Sequence, residues 1–223
     1  MWSFWSTPFA ACADQLRGNF TPAKIMNDSN RVVAIREYRM NRLATPSQLR
    51  ASLLRWALFC IPAVMLLGYL SGVLSGSTAD NPWFAALVKP GTYPPPIVFP
   101  IVWTTLYFLM GLALAMVCSA WGARYQQPAF LAFMLQLLLN LAWSPVFFAA
   151  HEITTALVII LLLDAAVILT IWLFLKVRRA AGLLLLPYLA WVLFATLLTW
   201  QILQANPDLD GTEPSNAVQR IEL

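Results

Sequence analysis

The sequence predicts an all-α membrane protein built as a five-transmembrane-helix bundle. Three observations predict it. Hydrophobic residues make up 60% of the 223 and charged residues only 11%, against about 25% charged in an ordinary soluble domain. Five apolar stretches each reach the roughly 20 residues that cross ~30 Å of hydrocarbon as a helix. None of them alternates apolar with polar residues as a barrel strand does, which argues against a transmembrane β-barrel.

Taken in order, residues 1–52 form a polar, basic N-terminal arm. Its opening Met1-Trp2-Ser3-Phe4-Trp5 patch has no positive flank and is broken by Pro8, so a signal peptide is not expected. Residues 30–43 mix arginine with apolar residues, which fits either a membrane-surface helix or a solvated arm. The membrane domain, 53–205, holds spans from Trp56 to Leu74, Val98 to Ala120, Pro128 to Ala150, Ile153 to Leu175 and Gly182 to Leu203. An acidic tail, 206–223, follows. Most connections are near the minimum length, which makes consecutive helices antiparallel neighbours in one bundle.

The first loop, Ser75 to Ile97, is the exception. Prolines at 82, 90, 94, 95 and 96, with Pro100 beyond, remove backbone donors and push the preceding residues out of the α region. The loop can therefore hold at most a short helix. Its Trp83 and Phe84 either sit in the interfacial aromatic belt or lid a pocket between helices. Long loops on compact scaffolds tend to carry function.

Charge sets the expected orientation. Arg36, Arg39, Arg42, Arg50 and Arg55 precede the first span, Arg124 follows the second, and Lys176, Arg178 and Arg179 follow the fourth. All fall on one side of the membrane, so the positive-inside rule places the N-terminus in the cytoplasm and the C-terminus outside. The net charge of +4 is thus a topology signal, and no nucleic-acid partner is expected. Cys12, Cys60, Cys118 and the single histidine, His151, do not have metal-ligand spacing, so neither a metal nor a cofactor is expected. No nucleophile elbow, phosphate loop or helical carboxylate pair is present, which leaves no catalytic residues for hydrolysis or phosphoryl transfer.

Within the third span, Gln136, Asn140, Trp143 and Ser144 recur along one helical stripe. An amide in hydrocarbon must find a partner, so this stripe faces the interior, where it either meets a ligand or bridges helices. Trp103, Tyr107 and Gly111 repeat the arrangement in the second span, and Trp191, Ala195 and Thr199 in the fifth. Meeting at the axis, the three stripes would line an apolar cavity with broad aromatic walls, suited to a flat hydrophobic ligand. Trp121 and Trp172 lie nearer helix ends and read as belt residues. Asp164 falls mid-span, where a lipid-facing charge costs about 2.5–3.5 kcal/mol. It must face protein or be protonated, as a proton relay, a hydrogen-bonded helix contact or a dimer-interface residue. Pro62, Pro145 and Pro187 are expected to kink their helices and free carbonyls that neighbours must satisfy.

Several of these residues together carry a resemblance: Trp83 to Pro90, Pro94-Pro95, Trp103 with Tyr107, Gln136 to Phe148 around Asn140 and Trp143, and Pro187 to Ala195. In this order they resemble the TspO/MBR family, the tryptophan-rich sensory proteins of bacteria and the translocator proteins, or peripheral benzodiazepine receptors, of animal mitochondria. The resemblance implies a five-helix fold, a homodimer, a multi-pass location in a bacterial cell envelope membrane, and a ligand pocket closed by the first loop. The implied ligand is a porphyrin or another hydrophobic small molecule, bound for sensing, regulation or transport. Carried over by position, the ligand-binding residues are Trp83, Phe84, Trp103, Tyr107, Asn140, Trp143, Trp191 and Ala195. An alternative it implies is an enzyme that degrades porphyrin in light, with Trp83 and Trp191 as electron donors. A proton-coupled exporter using Asp164 is a third possibility, read from the residue itself. Three departures stand out. Phe84 replaces a usual tyrosine, Leu198-Thr199 replaces a usual Leu-Asn, and no basic residue follows Tyr188 until Arg220 in the manner of a cholesterol-type pattern.

Overall fold

The computed structural model of the protein describes residues 46–77 and 81–212. The Met1 to Trp5 patch, the arginine-containing 30–43 stretch, Cys12 and the tail beyond 212 lie outside the described residues. Five helical segments are long and apolar enough to cross a bilayer, and no strand occurs among the described residues.

The first helix, α1 (Pro46–Leu74), begins ahead of the apolar run that predicts it, so Arg50 and Arg55 lie on its first turns, exposed. Gly76, at φ 65°, ends it in the left-handed conformation that stops helices at low steric cost. Among its described residues the loop then forms one short helix, α2 (Pro82–Ala86). Pro82 stands where a missing N–H costs nothing, and the Asn81 side chain caps it by accepting from Phe84 N–H at 3.1 Å. Lys89 closes its other end, donating to the Phe84 carbonyl at 2.9 Å while lying over the Phe84 ring.

Helix α3 (Val98–Cys118) runs back across, and α4 (Gln126–Ser144) returns. At Pro145 the chain widens into a π-turn, Pro145–Ala149, in which Ala150 N–H reaches the Pro145 carbonyl at 2.9 Å. The proline supplies no donor for the Leu141 carbonyl one turn below. Ser71 of α1 donates to that carbonyl at 2.8 Å, which is the neighbourly repair that a membrane proline requires.

His151, at φ 59°, turns the chain into α5 (Ile153–Val177). Asp210, from beyond the last helix, accepts from Ile153 N–H at 2.6 Å and Thr154 N–H at 3.1 Å. A carboxylate there satisfies free donors and faces the positive end of the helix dipole. One turn, α6 (Arg179–Leu183), precedes α7 (Leu186–Ala205). Pro187 therefore sits in the first turn of α7 rather than kinking a continuous span. A break at Leu184-Leu185 has already ended the preceding helix, so the first turn of α7 needs no donor from Pro187.

Helix α5 is the centre of the bundle, packed against α4, α6 and α7. Half of its most apolar stretch is buried, against 17% for α1, which lies at the periphery. What holds α1 is close approach: a Cβ on Gly111 would stand 2.6 Å from Ile61 Cα. Lipid tails are as apolar as leucine, so helices in a bilayer associate through such small-residue contacts and interhelical hydrogen bonds. A large apolar core fills the bundle, and a second cluster under the first loop gathers Trp83, Leu87, Phe147, Ile153, Ala156 and Ile202.

Candidate ligand-binding site

The position of the loop residues decides between belt and lid. Trp83 is buried at 3% exposure, its ring 5.5 Å edge-on to Phe147 and 4.6 Å from the His151 ring. A belt tryptophan would face lipid and water, whereas this one faces protein. Phe84 meets Phe148 at 5.2 Å and Tyr93 at 6.1 Å. The lid, residues 81–97, thus closes the end of the bundle with an aromatic underside. Partial burial raises the Tyr93 phenol pKa above its ordinary value, because a phenolate there would lose solvation.

Beneath the lid, the π-turn carries Phe147 inward to 2% exposure, and Trp143 stacks on it at 5.0 Å and 15°. Trp83 and Trp143 therefore share one ring. Trp191 joins the layer from α7 through Phe99, at 5.8 Å, and Tyr93, which stacks on Phe99 at 5.3 Å.

Deeper lies a polar thread across three helices. Tyr107 of α3 donates to Asn140 Oδ1 at 2.9 Å, Asn140 Nδ2 donates to the Tyr188 hydroxyl at 3.2 Å, and Tyr188 donates to Gln136 Oε1 at 2.9 Å. The inward stripe of α4 is as predicted, and here its amides bridge α3, α4 and α7. Trp103 stacks on Tyr107 at 5.2 Å, and the Tyr107 ring fills the space above Gly68. The Ala195 carbonyl accepts from the Thr199 hydroxyl at 2.8 Å, and its methyl group packs against the core.

Seven of the eight predicted residues fall into groups joined by ring contacts or hydrogen bonds, Ala195 being the exception. Trp83, Phe84 and Trp143 meet on Phe147, Trp103, Tyr107 and Asn140 form the thread and its stack, and Trp191 connects through Phe99. An open groove of about 460 Å³ lies between α3 and α7, lined by residues including Leu106, Leu109 and Ala190, and Trp191 is the one of the eight that lines it. Asp164 is buried and accepts from Thr196 of α7 at 2.8 Å, a helix contact within the chain. Trp121 and Trp172 are exposed, with Lys176 over the Trp172 ring.

Four buried polar atoms have no protein partner among the described residues: Trp83 Nε1, Trp143 Nε1, Gln136 Nε2 and Asp164 Oδ1. Three of the four are N–H donors, two on predicted site residues and the third on Gln136 of the same α4 stripe. Sequence reasoning did not assign Phe147, Tyr188 or His151 to this site. Phe147 continues the α4 stripe four residues beyond Trp143, and a tyrosine in mid-span needs a partner for its hydroxyl, so both carried a usable signal. His151 carried none, since its place over Trp83 follows from a turn.

Such a structure defines a multi-pass helical membrane protein whose irregular first loop seals a tryptophan-rich end of the bundle. Residues 60–205 match the model of the TspO/MBR family, and the chain belongs to that family. It is 40% identical over 149 residues to the tryptophan-rich protein TspO of Chlorobaculum tepidum, a match covering 66% of this chain and 94% of that one. It is 40% identical over 124 residues to the tryptophan-rich sensory protein of Cereibacter sphaeroides, covering 56% and 77%. The translocator protein of Homo sapiens is 39% identical over 127 residues, covering 56% and 75%. The resemblance drawn from the motifs holds.

Proposed function

We propose that this membrane protein captures porphyrins or similar flat lipophilic molecules beneath its lid, as a receptor or translocator with a sensing, regulatory or transport role. The observation that carries the reading is the set of orphaned donors. Trp83 and Trp143 flank Phe147 with both indole N–H groups buried and without acceptors among the described residues, and Gln136 Nε2 is a third. Buried polar groups are nearly always paired, so unpaired donors on aromatic walls suit a ligand with a flat apolar body and acceptor groups at its edge. A porphyrin bearing carboxylates has that form. Family membership supports the same reading, as do relatives named sensory and translocator proteins. We place the N-terminal side in the cytoplasm of a bacterial cell envelope on the arginine distribution, and the working unit as a homodimer on the family resemblance.

The test is dark quenching of tryptophan fluorescence by protoporphyrin in detergent-solubilised protein. Wild type is expected to quench saturably, and Trp83→Phe and Asn140→Ala each to weaken binding about tenfold, the effect of one net polar contact at a buried site. Non-saturable quenching would return the site to helix packing. A second reading, light-driven porphyrin degradation, is favoured by an unbroken run of ring contacts from Trp83 through Phe147, Phe84, Tyr93 and Phe99 to Trp191, each between 5.3 and 6.2 Å. Loss of porphyrin absorbance under light and oxygen, abolished by Trp83→Phe or Trp191→Phe, would select it over binding alone.

A further inference from the structure

Asn206 follows α7 and is buried at 4% exposure. Its Oδ1 accepts from Val88 N–H at 2.8 Å and its Nδ2 donates to the Val88 carbonyl at 3.0 Å. One side-chain amide thus pairs both backbone groups of a single lid residue, as a neighbouring strand would. The same Nδ2 donates to the Ile202 carbonyl at 2.8 Å, which ties the amide to the last turn of α7. Beside it, Leu87 is buried against the cluster that contains Ile202 and Ile153, and Thr92 donates to Gln201 Oε1. At the other end of the lid, Asn81 Nδ2 reaches the Phe148 carbonyl at 3.2 Å. The lid is short of regular structure, so these side-chain bonds take the place of a backbone ladder in holding it down.

We propose that Asn206 is the latch of the lid: release of its two bonds to Val88 is the step that opens residues 81–97 for ligand entry and exit. This rests on the reading of a ligand site under the lid. Asn206 belongs to none of the aromatic contacts or the polar thread there, so it acts by positioning the lid. The two bonds exist only in the closed form, whether or not ligand is bound. Their loss therefore raises the entry and exit rates together and leaves the dissociation constant nearly unchanged.

The experiment is stopped-flow quenching by protoporphyrin in the dark, with hydrogen–deuterium exchange on the ligand-free protein alongside. For Asn206→Ala, both association and dissociation are expected to quicken about tenfold, the effect of losing two net hydrogen bonds, with Kd within about threefold of wild type. Asn206→Asp keeps an acceptor for Val88 N–H but loses the donor, and an intermediate rise is expected. Exchange is expected to quicken about tenfold around Val88 and to stay at the wild-type rate in α3 and α5. Unchanged rates, or a weaker Kd with unchanged association, would overturn the latch. So would exchange that rises throughout the bundle, which would make Asn206 a general stabiliser. If protoporphyrin fails to bind wild type, the ligand reading falls and the entry step with it, and exchange at Phe84 and Ala85, whose N–H groups bond to Asn81 rather than to Asn206, decides whether Asn206 holds the lid closed: acceleration there in Asn206→Ala upholds that hold and no acceleration refutes it.

Discussion

Tyr188→Phe removes one oxygen from the middle of the bundle and is expected to cost about 1 to 4 kcal/mol. The hydroxyl donates to Gln136 Oε1 at 2.9 Å and accepts from Asn140 Nδ2 at 3.2 Å. Interhelical hydrogen bonds in membranes average about 0.6 kcal/mol and reach about 1.7, so the two bonds alone account for roughly 1 kcal/mol. The remainder comes from what is left behind. Gln136 is 1% exposed and its Nε2 already has no partner among the described residues, so the substitution strips the other end of the same amide. Orphaning a buried polar group adds about 1 to 3 kcal/mol where no partner can be recruited. The control is Gln136→Leu, which removes both the acceptor and the orphan. In that background Tyr188→Phe should cost about half as much, because the two residues share one interaction. Reversible unfolding in mixed detergent and dodecyl sulfate micelles, followed by tryptophan fluorescence, measures both. A cost below about 0.3 kcal/mol for the single change, or equal costs in the two backgrounds, would refute the thread as a stabilising network.

Other expectations follow from the same contacts. Gly68→Val places a Cβ 2.3 Å from Tyr107 ring atoms, so the ring must move and its bond to Asn140 break; a cost of about 1 to 3 kcal/mol is expected in the same unfolding assay, relieved in a Tyr107→Ala background. Ser71→Ala strips the donor from the Leu141 carbonyl and should cost about 1 kcal/mol, falling towards zero when Pro145→Ala restores a backbone N–H to that carbonyl. The lid favours the neutral Tyr93 phenol, whose pKa is raised by burial; its contribution is fully present below the ordinary phenol value of about 10 and is lost as pH rises through the higher folded value. An alkaline shift of tryptophan emission is therefore expected in wild type and should disappear in Tyr93→Phe.

Much of this was legible along the chain. The prolines of the first loop limit it to a short helix, and Pro82–Ala86 is five residues long. The spacing of Gln136 and Asn140 puts them on one face, and both are buried. Less legible was the use made of that face. Asn140 could have met a ligand or a neighbouring helix, and the choice of Tyr107 and Tyr188 as partners depends on residues 33 and 48 positions away. The lid latch is further still from view, since Asn206 and Val88 are 118 positions apart.

The sequence by itself determined the class, because crossing hydrocarbon as a helix demands about twenty apolar residues and five stretches meet that demand. It also determined which positions had to be satisfied inside the bilayer, because an amide, a carboxylate or a proline-freed carbonyl has no water there to turn to. Tertiary structure alone decided which group answers each of them: Ser71 for Leu141, Thr196 for Asp164 and Tyr188 for Gln136. It also decided which leucines face protein, since Leu106 is 3% exposed and Leu138 is 66%. In water the hydrophobic effect marks the inside of a helix by composition. In lipid both faces are apolar, so the inward face is set by packing and hydrogen bonds between helices, and those appear only once the helices are assembled.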